Sequence, residues 1–165
     1  QKLFKIGDNL ALTTAGLVGH AQSLARTLAA EVSLFELRRG DSMTVRGAAT
    51  LTANILSGRP HWVQLLIVGV DSEGGSVYSI DSAGGSIPDS YCATGSGSPY
   101  MYGVLEDGFK ENMTRDAAVA LAARALSASA QRDAASGNGM DLAVITAKDG
   151  YVPVEQSEIA AVLKK

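Results

Sequence analysis

Apolar positions recur at two spacings along the chain, and the change between them separates predicted helices from predicted strands. From Leu17 onward the spacing of three and four predicts an amphipathic helix that ends at Gly40. Its buried stripe comprises Leu17, Ala21, Leu24, Leu28, Val32 and Phe35. A second helix is predicted to begin near Thr44 and to end at Gly58 and Pro60. Its core positions are Val45, Ala48, Ala49, Thr52, Ile55 and Leu56.

Strands are predicted where short apolar or alternating segments are bounded by glycine, asparagine and aspartate. These segments are Leu3–Ile6, Leu10–Ala15, Trp62–Asp71, Ser76–Asp81, a short strand into Tyr91–Ala93, Asp141–Thr146 and Tyr151–Val154. Ser98 is predicted to cap a short helix with Pro99 at its first position, and Thr114 to cap a longer one. The predicted apolar face of the longer helix is Ala118, Leu121, Ala122, Ala125 and Leu126. A last short helix around Ile159 ends at Lys164 and Lys165, where the helix dipole favours positive charge.

The order of these elements predicts the fold class. Strands and helices come in separate groups and do not alternate one by one, which favours an α+β fold with two antiparallel sheets faced by helices. The length of 165 residues fits a single domain over residues 1–165 with a sizeable core.

Composition narrows the classes of function. Hydrophobic residues make up 46% and charged residues 19% of the chain, which is typical of a globular protein. The net charge of −3, without a basic block, argues against a nucleic-acid surface, and no apolar run is long enough to span a membrane. A single cysteine, Cys92, excludes an internal disulfide and favours a reducing, cytoplasmic location. We expect Cys92 to be buried and inert, the alternative being a thiol nucleophile.

The segment Thr13–Gly19 is the strongest local candidate for a functional turn. Gly16 lies where a predicted strand passes into a predicted helix, so backbone can approach another group there without a Cβ in the way. The N–H groups at the start of the helix suit an anion or a developing oxyanion. The alternative is an ordinary strand-to-helix turn with packing glycines. His20 and His61 are expected at the surface or at a helix start, because neither has neighbours in sequence for metal or triad chemistry.

Several motifs taken together resemble the archaeal-type proteasome β subunit. They are Leu10–Gly19, "SIDSAGGSIPD" at Ser79–Asp89, "TGSGSPYMYGVLE" at Thr94–Glu106, and "QRDAASG" followed by "DLAVIT". The likeness extends from Lys2 to the last helix, in order and spacing. It implies a four-layer αββα sandwich of two antiparallel sheets flanked by helices, the fold of N-terminal-nucleophile hydrolases.

The resemblance also implies the roles of particular residues. Lys2 matches the family's catalytic lysine, Gly16 the glycine whose N–H forms the oxyanion hole, and Ser96 the first serine of the TGSGS loop. Asp133 and Ser136 match the pair around the amino group of the nucleophile. The residues that match the main specificity pocket are Phe4, Thr14, Val18 and Gln22. Thr14 is more polar than the usual occupant, which leaves the preference of the pocket open. No cofactor and no metal are implied.

Without the resemblance, these residues have simpler interpretations. Lys2 would be a solvated lysine at a strand edge, and Asp133 would pair with Arg132 or bond to Ser136. Ser96 would be a turn residue that bonds its own backbone, as would Ser136.

The sequence departs from the family at its start. The N-terminal threonine and the acidic partner of the lysine are not present, and the family places both upstream on two opening strands. Gln1 cannot replace the threonine, because an amide is neither nucleophile nor base. We therefore expect a trimmed part of an active subunit, since removing two strands would expose a core face and leave backbone groups unpaired. The alternative is a shortened, non-catalytic ring subunit.

The family implies a threonine-type endopeptidase that degrades unfolded polypeptides in a closed chamber. Implied partners are other β subunits in a heptameric ring, proteasome α subunits, and a regulatory ATPase that delivers unfolded substrates, with neither nucleic acid nor membrane. The helix Leu17–Arg39 and the turn Asp133–Gly139 are candidates for ring contacts. A different N-terminal-nucleophile amidohydrolase acting on a small molecule is a further possibility.

Overall fold

A computed structural model describes residues 2–59 and 61–164 as five helices and seven strands. The strands are β1 (Leu3–Lys5), β2 (Leu10–Gly16), β3 (Val63–Asp71), β4 (Gly74–Ile80), β5 (Ser86–Asp89), β6 (Ala143–Thr146) and β7 (Gly150–Pro153). The helices are α1 (Val18–Arg39), α2 (Val45–Gly58), α3 (Ser98–Gly108), α4 (Arg115–Arg132) and α5 (Gln156–Leu163). Gln1, Pro60 and Lys165, which enter the sequence predictions, lie outside the described residues.

The chain divides into two compact units. The first consists of Gln1–Thr94 with Ile145–Tyr151, and the second of Gly95–Val144 with Val152–Lys165. The prediction of one domain over the whole chain stays a prediction.

An antiparallel five-stranded sheet in the order β1-β2-β3-β4-β5 forms the centre of the first unit. The register pairs Leu12 of β2 with Ile67 of β3, and both side chains are fully buried. They pack in one core with the apolar stripes of α1 and α2. The predicted stripes are confirmed except that Leu17 is exposed and that Phe35 and Ile55 are only partly buried.

Local signals in the sequence set the ends of the two helices in this unit. Gly40 ends α1 in the left-handed conformation, with φ of 68°, and its N–H donates to the carbonyl of Glu36. The hydroxyl of Thr44 accepts a hydrogen bond from the N–H of Gly47 and so caps α2 as predicted. The chain therefore turns back between α1 and α2 at a defined point.

The second unit contains α3, α4 and α5. Thr114 caps α4, as predicted, by accepting from the N–H of Ala117. Arg115 at the start of α4 forms an ion pair with Glu158 of α5. A small apolar cluster centres on Val119, Val154 and Ile159.

The predicted apolar face of α4 is partly wrong. The buried residues are Val119, Leu121, Ala123, Ala125 and Ser129, whereas Ala118 is exposed and Ala122 and Leu126 are only partly buried. Alanines occupy so many positions of this helix that the sequence defines no single stripe.

Three smaller predictions also need correction. The strand predicted to reach Tyr91–Ala93 ends at Asp89. Gly97 is the residue that precedes α3, and Ser98 is its first helical residue. Cys92 is partly buried, where full burial was expected. Among the described residues, no helix has the length and apolar character needed to cross a bilayer.

Candidate functional site

The turn from β2 into α1 is built around the backbone carbonyl of Trp62. Gly16 has a φ of +116°, which side-chain-bearing residues rarely adopt, and a Cβ at this position would collide with the Trp62 oxygen. The N–H of Leu17 donates to that same oxygen at 2.9 Å. The next residue, Val18, begins α1. Glycine is therefore required at position 16, and a helix N-terminus follows directly.

Lys2 lies at the neighbouring edge of the same sheet. It precedes β1, and its carbonyl accepts a hydrogen bond of 2.9 Å from the N–H of Thr14 on β2. The side chain of Lys2 is exposed in the described part of the chain. The backbone pairing thus holds Lys2 two residues from Gly16 in the register of the β1–β2 pair.

A network of serine hydroxyls around one carboxylate forms the second group of candidates. Asp133 Oδ2 accepts hydrogen bonds from Ser96 Oγ at 2.7 Å and from Ser136 Oγ at 2.6 Å. Ser129 Oγ lies 3.0 Å from Ser136 Oγ. Because the hydroxyl of Ser136 donates its one hydrogen bond to Asp133, the hydroxyl of Ser129 is the donor in its contact with Ser136. Ser96 Oγ keeps lone pairs that can accept from an ammonium group.

The end of α4 fixes the position of Asp133. Its N–H donates to the carbonyl of Ser129 at 2.8 Å, which closes the last turn of the helix. Its second carboxylate oxygen accepts from the N–H of Ala135 at 3.2 Å, as in an Asx turn. Carboxylate and hydroxyls are therefore positioned before any substrate binds.

Sequence analysis missed two residues of this network. Ser129 is buried on α4, and its hydroxyl belongs to the network. Gly97 leaves the space that Ser129 fills, because a Cβ at position 97 would overlap Ser129 Oγ and lie 3.0 Å from Ser136 Oγ. A serine in the alanine-rich stretch of α4 was the only available signal.

The four predicted specificity residues differ in exposure. Thr14 is buried and Phe4 is partly buried against the core of the first unit. Val18 and Gln22, one helical turn apart on α1, are exposed. Whether the four line one pocket stays a prediction.

The structure brings Ser96, Asp133 and Ser136 into direct contact within the second unit. In the first unit, Lys2 directly precedes β1, and Gly16 ends the neighbouring strand β2. Their convergence on one point stays a prediction. Within residues 2–59 and 61–164, no group of three or more potential side-chain ligands is arranged to hold a metal ion.

The family model described as "Proteasome subunit" matches residues 1–145. A protein named "Proteasome subunit beta" from Thermoplasma acidophilum is 48% identical over 168 residues, which cover 100% of this chain and 79% of that protein. Proteins of the same name from Methanobrevibacter ruminantium and Methanobrevibacter smithii are 46% and 45% identical over 165 residues. These alignments cover all of this chain and 79% and 80% of the two relatives.

Proposed function

Because the chain belongs to the family of proteasome β subunits, we propose that it is a threonine-type endopeptidase subunit of a proteasome core particle. The family has the N-terminal-nucleophile hydrolase fold, and the observed α+β architecture agrees with it. Peptidase-type hydrolysis follows from the family. We further propose that the nucleophile is an N-terminal threonine outside these 165 residues.

The network at Asp133 is the observation that supports this chemistry best. An N-terminal threonine offers a hydroxyl as nucleophile and an α-amine, whose pKa is ordinarily near neutrality, as base. The amine becomes an ammonium when it takes the hydroxyl proton. Asp133 and the oxygen of Ser96 are acceptors suited to hold that ammonium. The network thus supplies what an amine base needs in order to be oriented.

Lys2 and Gly16 supply the complementary charge. An ammonium at Lys2 beside the threonine favours its alkoxide form, because an opposite charge stabilises the ionised state. The N–H of Gly16 holds the oxyanion of the tetrahedral intermediate, and removal of one such donor from comparable sites costs about 3–4 kcal/mol. The preformed turn at Trp62 supports this role, since the donor needs no reorganisation.

The family also implies assembly with other proteasome subunits in rings. We propose heptameric β rings capped by α rings, with unfolded polypeptides delivered by a regulatory ATPase. The helix α1 and the turn Asp133–Gly139 remain the candidate ring contacts. The second candidate function is a β-type ring subunit that assembles without cleaving.

The proposal is tested on the full-length protein, with its upstream segment, assembled with its α subunits. We expect hydrolysis of a fluorogenic peptide with an apolar residue before the scissile bond. Lys2→Ala and Asp133→Asn should each lower kcat at least a hundredfold while the particle still assembles, as expected for residues of the catalytic group. Lys5→Ala and Asp107→Asn are the matched controls, because Lys5 pairs with exposed Asp8 and Asp107 is exposed on α3.

Intact mass of the mature subunit gives an independent readout. A start at threonine supports the enzyme. Assembled particles that show no turnover, with a mature subunit lacking an N-terminal threonine, would establish the structural subunit. Full activity in Lys2→Ala would remove Lys2 from the mechanism.

A further inference from the structure

The peptide group of Trp62 is held from both sides. Its carbonyl accepts the N–H of Leu17 at 2.9 Å, and its own N–H donates to Nδ1 of His20 at 3.1 Å. His20 lies in the first turn of α1, three residues beyond Leu17. One imidazole and one backbone N–H, both from the start of α1, thus fix the Trp62 peptide on which the Gly16 turn rests.

This contact specifies the protonation state of His20. An imidazole nitrogen accepts a hydrogen bond only when it carries no proton, so His20 is neutral with its proton on Nε2. The imidazolium has donors on both nitrogens, and its Nδ1–H would face the Trp62 N–H. Protonation of His20 is therefore incompatible with the observed contact.

The groups around His20 are the start of α1 and the ring of His61. The first turn of α1 has no acidic residue, and the helix N-terminus carries partial positive charge. From the segment before β3, the ring of His61 packs edge-on with a centroid separation of 5.1 Å. The Nδ1 of His61 lies 2.6 Å from the carbonyl of Arg59 and is therefore its donor. Among the described residues, no carboxylate lies within ion-pair distance of either imidazole.

We propose that His20 is a positioning residue whose Nδ1 holds the Trp62 peptide against the Gly16–Leu17 turn. Its effect on hydrolysis rests on the proposed function of Gly16 as oxyanion donor. Loosening the Trp62 carbonyl removes the support for the backbone at Leu17 and hence for the N–H of Gly16. Peptide hydrolysis should therefore slow when the imidazole is removed.

The chain carries its own probe for the first part of the proposal. Among the 165 residues, Trp62 is the only tryptophan, and His20 and His61 are the only histidines. In the full-length assembled protein, the difference in tryptophan emission between the wild type and a His20 variant therefore reports on Trp62. His20→Ala should change the emission, and His20→Asn should restore it toward that of the wild type. Wild-type emission in His20→Ala would overturn the proposal.

Peptidase kinetics test the second part. His20→Ala should lower kcat by about two- to tenfold at neutral pH, the equivalent of one net hydrogen bond, with little change in KM. Asparagine offers Oδ1 as an acceptor where histidine offers Nδ1. His20→Asn should therefore recover most of the lost rate.

The two measurements fail separately. If the wild type shows no hydrolysis, the proposed function fails, while tryptophan emission still tests the contact between His20 and Trp62. If the wild type is active and His20→Ala keeps the wild-type kcat, the positioning role is refuted. His61→Asn is the kinetic control and should keep the wild-type kcat. If His20→Ala does not fold, His20→Leu replaces it, and an unchanged kcat in that variant equally refutes the role.

Discussion

Replacing Gly16 with alanine tests the description of the turn most directly. The new residue would need a φ of +116°, and its Cβ would overlap the carbonyl oxygen of Trp62. A backbone conformation of this kind costs a residue with a side chain about 1–3 kcal/mol. Displacing the Trp62 carbonyl also weakens the hydrogen bond from Leu17, which is worth about 1 kcal/mol. The free energy of unfolding should therefore fall by about 2–4 kcal/mol.

Urea denaturation of the Gly16→Ala variant, followed by far-UV circular dichroism, measures this change. Gly19→Ala is the matched control, because position 19 lies nearby in the first turn of α1 and a Cβ there meets nothing within 4 Å. The control should be as stable as the wild type or more stable by up to about 1 kcal/mol, since alanine favours helix more than glycine does. Equal stability of the two variants would refute the reasoning about the Trp62 carbonyl.

Two further predictions concern the second unit. Gly97→Ala should displace the hydroxyl of Ser129 and lower kcat at least tenfold. Gly103→Ala is the control and should leave activity unchanged, because its Cβ would meet nothing within 4 Å. Equal kinetics of the two variants would show that position 97 tolerates a side chain. The ion pair with Arg115 holds the pKa of Glu158 below its usual value. The ionised carboxylate therefore stabilises the fold fully at pH values above the usual pKa, and this stabilisation is lost as the pH falls through the lowered pKa. Glu158→Gln should therefore lower Tm at neutral pH, and the difference from the wild type should shrink in strong acid; a difference independent of pH would contradict the assignment.

Much of the fold could be predicted from the sequence because local rules operate where the elements are long and strongly patterned. Thr44 and Gly40 mark helix ends through their own side-chain and backbone chemistry. The alternation and apolar runs of β3 and β4 set their positions to within a few residues. In α4, by contrast, alanine fits both a buried and an exposed position, so periodicity could not define its face.

The candidate site was harder to predict because its contacts join distant residues. Ser96 and Asp133 lie 37 positions apart, and only the family resemblance linked them before the structure was known. Ser129 appeared in no motif, and its role follows from the space at Gly97. His20 was correctly expected at a helix start, but its partner Trp62 is 42 residues away and contributes only backbone. The cytoplasmic location stays a prediction.

The space that Gly97 leaves for the hydroxyl of Ser129 also restricts how this sequence can change in evolution. A side chain at position 97 would displace the Ser129 hydroxyl from its place beside Ser136. The residues at 97 and 129 are therefore expected to change together. In related sequences, a side chain at the first position should therefore accompany the loss of the hydroxyl at the second.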